Sequence, residues 1–307
     1  MKKSKKIIIG ISCACLLLGL AICICALSMM GNTNIGGMMN MSSIKFEKNT
    51  YEISESFVNI NISEIECDVK LLPSKDGKCK VEATESKNIY NEIYVENGTL
   101  NIKRHDVRKW YEHIGLFWFG EVTLKVYLPQ NEYSALALKT VSGDIDLPSH
   151  FTFESAEISS TSGEIDICCE VKGKLSAIST SGDIEIDGVH SASDVSVKTV
   201  SGEIEIENSS ANNLTLSSTS GDVYVTNAIS KGDFYAKNVS GRIKLEGFDA
   251  GYLEIKSTSG SVNCALLSEK NVSAKSTSGN INVPECINGA PCKISTVSGN
   301  IKVSFLK

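Results

Sequence analysis

Acidic side chains recur at two fixed positions in the second half of the sequence, one and three residues after a repeated Ser-Gly pair. We call this set the acid ladder: Asp144, Asp146, Glu164, Asp166, Asp183, Glu185, Glu203, Glu205 and Asp222. Alternate residues of a β-strand point to the same side, so stacked repeats would place these carboxylates on one outward face. Neighbouring carboxylates repel one another unless a divalent cation such as Ca²⁺ or a cationic partner offsets the repulsion. The simpler interpretation is a solvated face that maintains solubility.

A second candidate site is an aromatic segment that follows several basic residues. Its members are Arg108, Lys109, Trp110, Tyr111, Phe117, Trp118 and Phe119, which include both tryptophans of the chain. A basic flank beside aromatic side chains suits contact with a membrane surface or a partner's groove. The simpler and favoured interpretation is a hydrophobic plug over the open end of a stack of repeats.

Other chemistry has little support in the sequence. The four histidines are scattered, and the nucleophile, zinc-protease and phosphate-loop motifs are absent. We therefore predict that the protein is not an enzyme and needs no cofactor. The formal net charge is −6, and four lysines precede residue 7, so the part from Ile44 onward carries −10. An acidic body argues against nucleic acid as a partner.

The repeat that positions the acid ladder is defined by nine Ser-Gly pairs spaced 19 or 20 residues apart, from Gly143 to Gly299. A β-branched residue follows each glycine by two positions, and an apolar residue follows by four. Apolar residues also alternate seven and five positions before each glycine, as in half-buried strands. The change of parity between these strands indicates a bend at Ser-Gly. Val171, Val189, Phe248 and Ile287 suggest a third inward side.

These features predict an all-β protein, a parallel β-solenoid of about nine coils of 19–20 residues, with Gly299 in the last coil. Four-stranded propeller blades of two repeats each are the alternative, but nine is odd and no Trp-Asp signature occurs. Strand-like runs with Asp76-Gly77 and Asn97-Gly98 hairpin signals precede the repeats and predict a β-rich cap.

Seven cysteines follow the N-terminal apolar run, and their spacings match no metal motif. Cys67 with Cys79, and Cys286 with Cys292, are close enough in sequence to suggest disulfide bridges. Buried free thiols are the favoured interpretation.

The N-terminus predicts export with a retained anchor. Ile7 to Met30 is uncharged, almost wholly apolar and long enough to cross a bilayer, and a cleavable signal peptide is the alternative. The preceding lysines place the N-terminus in the cytoplasm and the bulk outside the cell membrane. The predicted organisation is a cytoplasmic tail (1–6), one transmembrane helix (7–30), a flexible linker (31–43), a β-rich cap (44–135) and the solenoid (136–307).

Three motifs occur in this order: Asn97-Gly98-Thr99-Leu100-Asn101-Ile102, then Val126-Tyr127-Leu128-Pro129, then repeated Thr-x-Ser-Gly-Asp-Ile-x-Leu coils. The sequence from about residue 44 to 307 thereby resembles the bacterial "putative adhesin" β-strand-repeat family, also called toastrack. The resemblance implies a cell-envelope location and, in some members, envelope-stress signalling or adhesion. It brings no catalytic residues to this chain.

We therefore predict a non-enzymatic envelope binding or scaffold module whose partner is an envelope protein or a cationic peptide, with a role in envelope-stress sensing. The alternatives are an adhesin that contacts other surfaces and, less favoured, a carbohydrate-active enzyme, because some β-solenoids cleave polysaccharides with clustered acids.

Overall fold

A computed structural model describes residues 45–108 and 122–306, and every regular element within them is a β-strand. The predicted anchor, residues 7–30, and the linker after it lie outside these ranges. No helix in the described ranges is long and apolar enough to span a bilayer. Seven strands precede the Ser-Gly repeats: β1 (Glu47–Ile53), β2 (Asn59–Ser63), β3 (Asp68–Pro73), β4 (Cys79–Glu85), β5 (Ile89–Glu96), β6 (Thr99–Asp106) and β7 (Thr123–Leu128).

The repeats contribute the remaining strands: β8 (Glu132–Lys139), β9 (Ile145–Leu147), β10 (Thr152–Ser159), β11 (Ile165–Ile167), β12 (Glu170–Val171), β13 (Leu175–Ile178), β14 (Ile184–Asp187), β15 (Asp194–Lys198), β16 (Ile204–Glu207), β17 (Ser210–Ala211), β18 (Asn213–Ser218), β19 (Val223–Thr226), β20 (Ile229–Asn238), β21 (Ile243–Ser257), β22 (Val262–Leu266), β23 (Lys270–Ser276), β24 (Ile281–Asn282), β25 (Ala290–Thr296) and β26 (Ile301–Phe305).

These strands confirm the predicted parallel β-solenoid of about nine coils. The strand before each Ser-Gly pair belongs to one parallel sheet, which we call the upstream sheet, and the strand after it belongs to the downstream sheet. Equivalent residues of successive coils are directly paired: Ile165 lies between Ile145 and Ile184, and all three are buried. Because the register advances without a slip along β9, β11 and β14, the inward apolar residues form continuous core rows.

The bend between the two sheets requires glycine. A Cβ atom added to Gly202 would lie 2.0 Å from the carbonyl oxygen of Gly182 in the preceding coil, so the stacked backbones leave no room for a side chain. The amide of Gly202 donates a hydrogen bond to Oγ1 of Thr199 at 3.0 Å, and Ser160 and Ser179 accept the same bond in their coils. A buried row of small hydroxyl side chains therefore holds successive bends, a feature that the sequence analysis missed.

The predicted third inward side is present in part. Val171, Val189 and Phe248 are buried, with Phe248 packed 4.6 Å from the ring of Phe234. The prediction is wrong for Ile287, which is 90% exposed. Ile287 lies in the connection between β24 and β25, where the chain leaves one coil and returns to another.

That connection changes the order of the stack. β25 pairs with the second part of β21 on one side and with β23 on the other, and β26 lies in the same way between β22 and β24. The ninth coil is thus inserted between the seventh and the eighth. The prediction that Gly299 lies in the last coil of the stack is therefore wrong. The inward residues of the ninth coil, Cys292, Ile294 and Ile301, are buried, whereas Ile281 in the eighth is exposed.

Parallel stacking also continues before the first Ser-Gly pair, across the predicted boundary at residue 136. β2 pairs in parallel with β8 and β6, and β3 pairs in parallel with β9 and β7. Two further coils therefore precede the nine. They lack the Ser-Gly signal, and Cys67 occupies the bend beside Gly143.

Antiparallel strands close this end of the solenoid. β5 pairs with β6, β4 pairs with β7, and β1 covers β4. The Asn97-Gly98 prediction is confirmed, since both residues have positive φ and join the paired strands β5 and β6. Asp76-Gly77 forms a turn but not a hairpin, because β7 lies between β3 and β4.

The seven cysteines of the described residues are all free, so neither suggested disulfide is formed. Cys67, Cys79, Cys169, Cys264 and Cys292 are buried in the core, and Cys168 and Cys286 are half-buried. Burial raises the pKa of the Cys169 thiol to about 12, which keeps it protonated and unreactive.

Candidate functional site

The structure brings the +3 acids, the ladder members three residues after glycine, onto adjacent strands. Asp146 pairs with Asp166, Asp166 with Glu185, and Glu185 with Glu205. All four are half-buried, and they alternate with the buried inward residues of the downstream sheet, so they point outward. Because parallel strands are about 4.8 Å apart, the four carboxylates form a continuous outward row over β9, β11, β14 and β16.

The +1 acids, one residue after glycine, have a structural role that the sequence analysis missed. Oδ1 of Asp144 accepts a hydrogen bond from the amide of Glu164 at 3.0 Å, and Oδ1 of Asp183 accepts one from Glu203 at 2.7 Å. Asp222 accepts in the same way from the amide of Arg242 at 2.7 Å. The short aspartate side chain thus caps the amide that the bend leaves free in the following coil. These aspartates contribute to coil stacking as well as to the charge of the face.

Two further acids extend the ladder. Asp187 and Glu207 are paired on β14 and β16, two residues beyond the +3 acids and therefore on the same face. Asn208 donates a 2.9 Å hydrogen bond to Asp187. These two acids lie five residues after glycine, and the alternation that identified the +1 and +3 acids could have identified them too. Within the ladder, however, acids occupy this position in only two adjacent coils.

The electrostatics of the face reflect this crowding. Burial raises the pKa of Glu185 above its ordinary value, and the like charges of Asp166 and Glu205 on adjacent strands raise it further. Burial and the neighbouring carboxylates Glu205 and Asp183 likewise raise the pKa of Glu203. In bulk water, charges 4.8 Å apart repel by about 0.9 kcal/mol. The face therefore favours a compensating positive charge.

The ladder ends where basic residues take over the same positions. Oδ2 of Asp222 accepts a 2.8 Å hydrogen bond from the hydroxyl of Tyr224 and lies 3.7 Å from the guanidinium of Arg242. Arg242 and Asp222 thus form an ion pair at this end of the ladder. In the next coil Lys244 lies 2.6 Å from Glu246.

The ladder has the geometry of a row. Among residues 45–108 and 122–306, no three His, Cys, Asp or Glu side chains are grouped so that they could hold a metal ion. A Ca²⁺ site needs six to eight converging oxygen ligands. The arrangement of the acid ladder suits a partner with several positive charges better than a single ion.

Only the first residue of the aromatic segment falls within the described residues. Nε of Arg108 donates hydrogen bonds to both carboxylate oxygens of Asp106, at 2.8 and 3.0 Å, and its side chain is largely buried. Arg108 also lies 3.8 Å from Glu66. It thus binds within the cap, while Lys109, Trp110, Tyr111, Phe117, Trp118 and Phe119 lie outside the described residues.

The cap contains a buried polar cluster that the sequence analysis missed. Glu64 takes the bend position of the small hydroxyl residues, and Arg104 is its neighbour in the adjacent coil. Asn91 links them, because it donates to Glu64 and accepts a 2.7 Å hydrogen bond from Arg104. Burial raises the pKa of Glu64 to about 7, although the charge of Arg104 lowers it. All three side chains are buried, as expected for a structural element of the cap.

Comparison with known families identifies the class of protein. The family described as Toastrack DUF4097 matches residues 57–246 and 191–307. The chain therefore belongs to the toastrack family, as its motifs and stacked coils indicated. A comparison with curated proteins finds no match.

Several solved structures share the fold. A "putative adhesin" from Bacteroides fragilis NCTC 9343 is 17% identical with a TM-score of 0.50, and the match covers 85% of this chain and 97% of that chain. A "putative adhesin" from Parabacteroides distasonis ATCC 8503 is 15% identical with a TM-score of 0.52, covering 84% and 97%. A "putative lipid binding protein" from the same organism is 20% identical with a TM-score of 0.52, covering 85% and 97%.

Proposed function

We propose that this protein is a membrane-anchored binding module of the bacterial cell envelope, and that the acid ladder binds a cationic peptide or a basic segment of an envelope protein. The observation that carries the proposal is the uninterrupted outward row of Asp146, Asp166, Glu185 and Glu205 on four adjacent strands.

The +3 acids are the part of the ladder best suited to binding. The aspartates among the +1 acids already accept backbone hydrogen bonds. No equivalent backbone role accounts for the +3 acids, whose mutual repulsion makes the unbound face unfavourable. A peptide in extended conformation would place side chains along the row and offset several charges at once.

The cell location is part of the proposal. The apolar run from Ile7 to Met30, preceded by four lysines, supports a single-pass anchor with the solenoid outside the cell. A module in that position that captures cationic peptides would suit envelope-stress sensing. N-terminal sequencing of protein isolated from membranes tests the anchor: a mature N-terminus near Met29 would show cleavage and contradict it.

Adhesion is the second candidate function. Two structures that share the fold are of proteins called "putative adhesin", and stacked coils offer extended faces for contact with another surface. Loss of cell-to-cell or surface attachment in a deletion strain, with unchanged sensitivity to cationic peptides, would favour adhesion over the proposed binding role.

The direct test is binding of a deca-lysine peptide to the purified protein, measured by isothermal titration calorimetry at low and high salt. The variant D146N/D166N/E185Q/E205Q removes four charges and leaves the +1 acids in place. We expect this variant to bind at least about tenfold more weakly at low salt, because several exposed charge pairs are lost together. Binding by the unchanged protein should weaken as salt rises.

A matched control removes four charges elsewhere. Glu47, Glu55, Glu96 and Glu157 are exposed and lie outside the downstream face of the repeats. E47Q/E55Q/E96Q/E157Q changes the net charge by the same amount and should retain most of the binding. Equal losses in both variants would indicate a general charge effect and exclude the acid ladder as the site.

A further inference from the structure

We infer that the downstream face is self-complementary and pairs with the same face of a second copy of this chain, with the two stacks antiparallel. The inference rests on the proposed function, since it uses the same acid ladder and names a second occupant for it. It follows from the order of charges along the downstream sheet.

The row at the +3 position changes sign along its length. Within the Ser-Gly coils, spatial pairing places Asp146, Asp166, Glu185 and Glu205 before Tyr224, and Lys244, Asn263, Lys302 and Asn282 after it. Before Asp146 the same row continues into the cap with Lys70 and Lys125, which have no counterpart among the described strands at the other end. The inserted ninth coil contributes to this order, because it places Lys302 between Asn263 and Asn282. Acids thus occupy the four positions before Tyr224, and lysine or asparagine occupies the four after it.

Consider a two-fold axis that runs parallel to β19 and passes between the two copies at Tyr224. It would place this row opposite the same row of the second copy, with the order of coils reversed. Each strand before β19 then faces the strand equally far beyond it in the other copy. Glu205 faces Lys244 and Asp166 faces Lys302, while Glu185 and Asp146 face the amides of Asn263 and Asn282. No acid faces an acid in the +3 row, and every contact occurs twice, as an isologous interface requires.

The +1 position supports the same arrangement. Glu203 faces Arg242 across this axis, and Asp183, Glu164 and Asp144 face the neutral residues Ser261, Asn300 and Asn280. Two contacts oppose the pairing: Asp222 lies on the axis and faces its own copy, and Glu207, two residues beyond the +3 row, faces Glu246. Lys244 and Arg242 already have partners within their own chain, Glu246 and Asp222. Arg242, Lys244 and Glu246 are exposed, so these pairs contribute little on their own.

The centre of the face carries its aromatic residue. Tyr224 is half-buried, and its hydroxyl is held by Asp222 at 2.8 Å. Two copies of Tyr224 would meet on the axis, where an ordered aromatic side chain contributes most to an interface. The surrounding charged pairs would determine orientation and register.

The net charge of the repeats changes sign along the stack in the same direction as the +3 row. Residues 141–225 contain 15 acidic and 3 basic side chains, a net charge of −12, whereas residues 226–306 contain 6 acidic and 9 basic ones, a net charge of +3. Parallel alignment of two copies would bring the acidic halves together. Antiparallel alignment brings each acidic half against a basic half.

The test is the oligomeric state of the full-length protein in detergent, measured by sedimentation velocity at low and high salt. We expect a dimer at low salt that dissociates as salt rises. D166K/E205K and K244E/K302E should each weaken dimer formation by at least about tenfold, since each places like charges at four contacts. Energy transfer between two differently labelled preparations should show that a mixture of these two variants forms heterodimers, and D166K/E205K/K244E/K302E should dimerise again.

A matched control places the same change on the other sheet. K198E/K237E reverses two exposed lysines of the upstream sheet and should dimerise like the unchanged protein. A monomer at low salt, or a dimer that both reversals leave intact, would overturn the inference. If the unchanged protein is monomeric but binds deca-lysine through the +3 acids, the proposed function stands and only the self-pairing fails. If it neither dimerises nor binds the peptide, both fail.

Discussion

Nε of Arg104 lies 3.9 Å from Oε2 of Glu64, and both side chains are buried in the cap. In the repeats that follow, the position of Glu64 is taken by small hydroxyl residues such as Thr140 and Ser160. A charged pair therefore closes the row of bend residues at the capped end. Such a pair is sensitive to the loss of either partner, because the charge that remains is buried and uncompensated.

The raised pKa of Glu64 predicts a pH-dependent stability. Its value is about 7 in the folded protein and 4.5 is its ordinary value, so the folded state binds the proton more tightly between these values. The corresponding stability is fully present below about pH 4.5 and is lost as pH rises towards 7. Relative to the unchanged protein, E64Q should therefore gain stability from pH 5 to pH 8, measured by urea unfolding. A difference that does not change with pH would contradict the assignment.

Neutralising the +3 acids should stabilise the fold. The pKa of Glu185 is raised by burial and by like charges, so its ionisation opposes folding as pH rises above its ordinary range. D166N/E185Q should have a higher urea midpoint than the unchanged protein at pH 7 and low salt. The gain should shrink in high salt, where repulsion is screened. A lower midpoint at both salt concentrations would show that these carboxylates make stabilising contacts.

The capping role of Asp183 predicts different effects of two substitutions. D183N retains an oxygen that can accept from the amide of Glu203, whereas D183A leaves that amide without its acceptor. We expect D183A to lower the free energy of unfolding by about 0.5–1.5 kcal/mol and D183N to cost less. E164A, on the same row but in a coil where glutamate replaces the aspartate, is the control. Equal losses for D183N and D183A would argue against the cap.

The inserted position of the ninth coil determines how much stability should be lost when each bend glycine is replaced. A Cβ atom on Gly299 would lie 2.1 Å from the carbonyl oxygen of Gly260, as close as the equivalent contact at Gly202. G202V and G299V should therefore destabilise to a similar extent, by about 1–3 kcal/mol or more. G279V should cost less, because within residues 45–108 and 122–306 the eighth coil pairs on one side only and can move away. A markedly smaller loss for G299V than for G202V, measured by urea unfolding, would contradict the inserted order.

The solenoid could be predicted because its signal is repeated at every coil. A 19–20-residue period with alternating apolar residues fixes both the stacking and the side to which Asp166 and Glu185 point. The period could not order the last two coils, since Val272 and Ile281 in one and Cys292 and Ile301 in the other follow the same pattern. Only the pairing of β25 with β21 and β23 distinguishes them.

The remaining omissions have a common physical origin. The cap of Asp183 on Glu203 and the contact of Glu64 with Arg104 join residues from different coils, and both depend on a register that single residues do not reveal. The coils formed by β2 with β3 and by β6 with β7 lack the Ser-Gly pair. Without it, their strand runs could be recognised only as β-rich sequence.

The inserted ninth coil also constrains how the chain can fold as it is made. Residues 270–283 leave the ribosome before residues 290–305, yet among the described strands they pair with those later residues and not with the seventh coil. The eighth coil must wait without a strand partner until the ninth has filled the gap. Folding can proceed coil by coil from the N-terminal side as far as β22, and the last two coils must then assemble together.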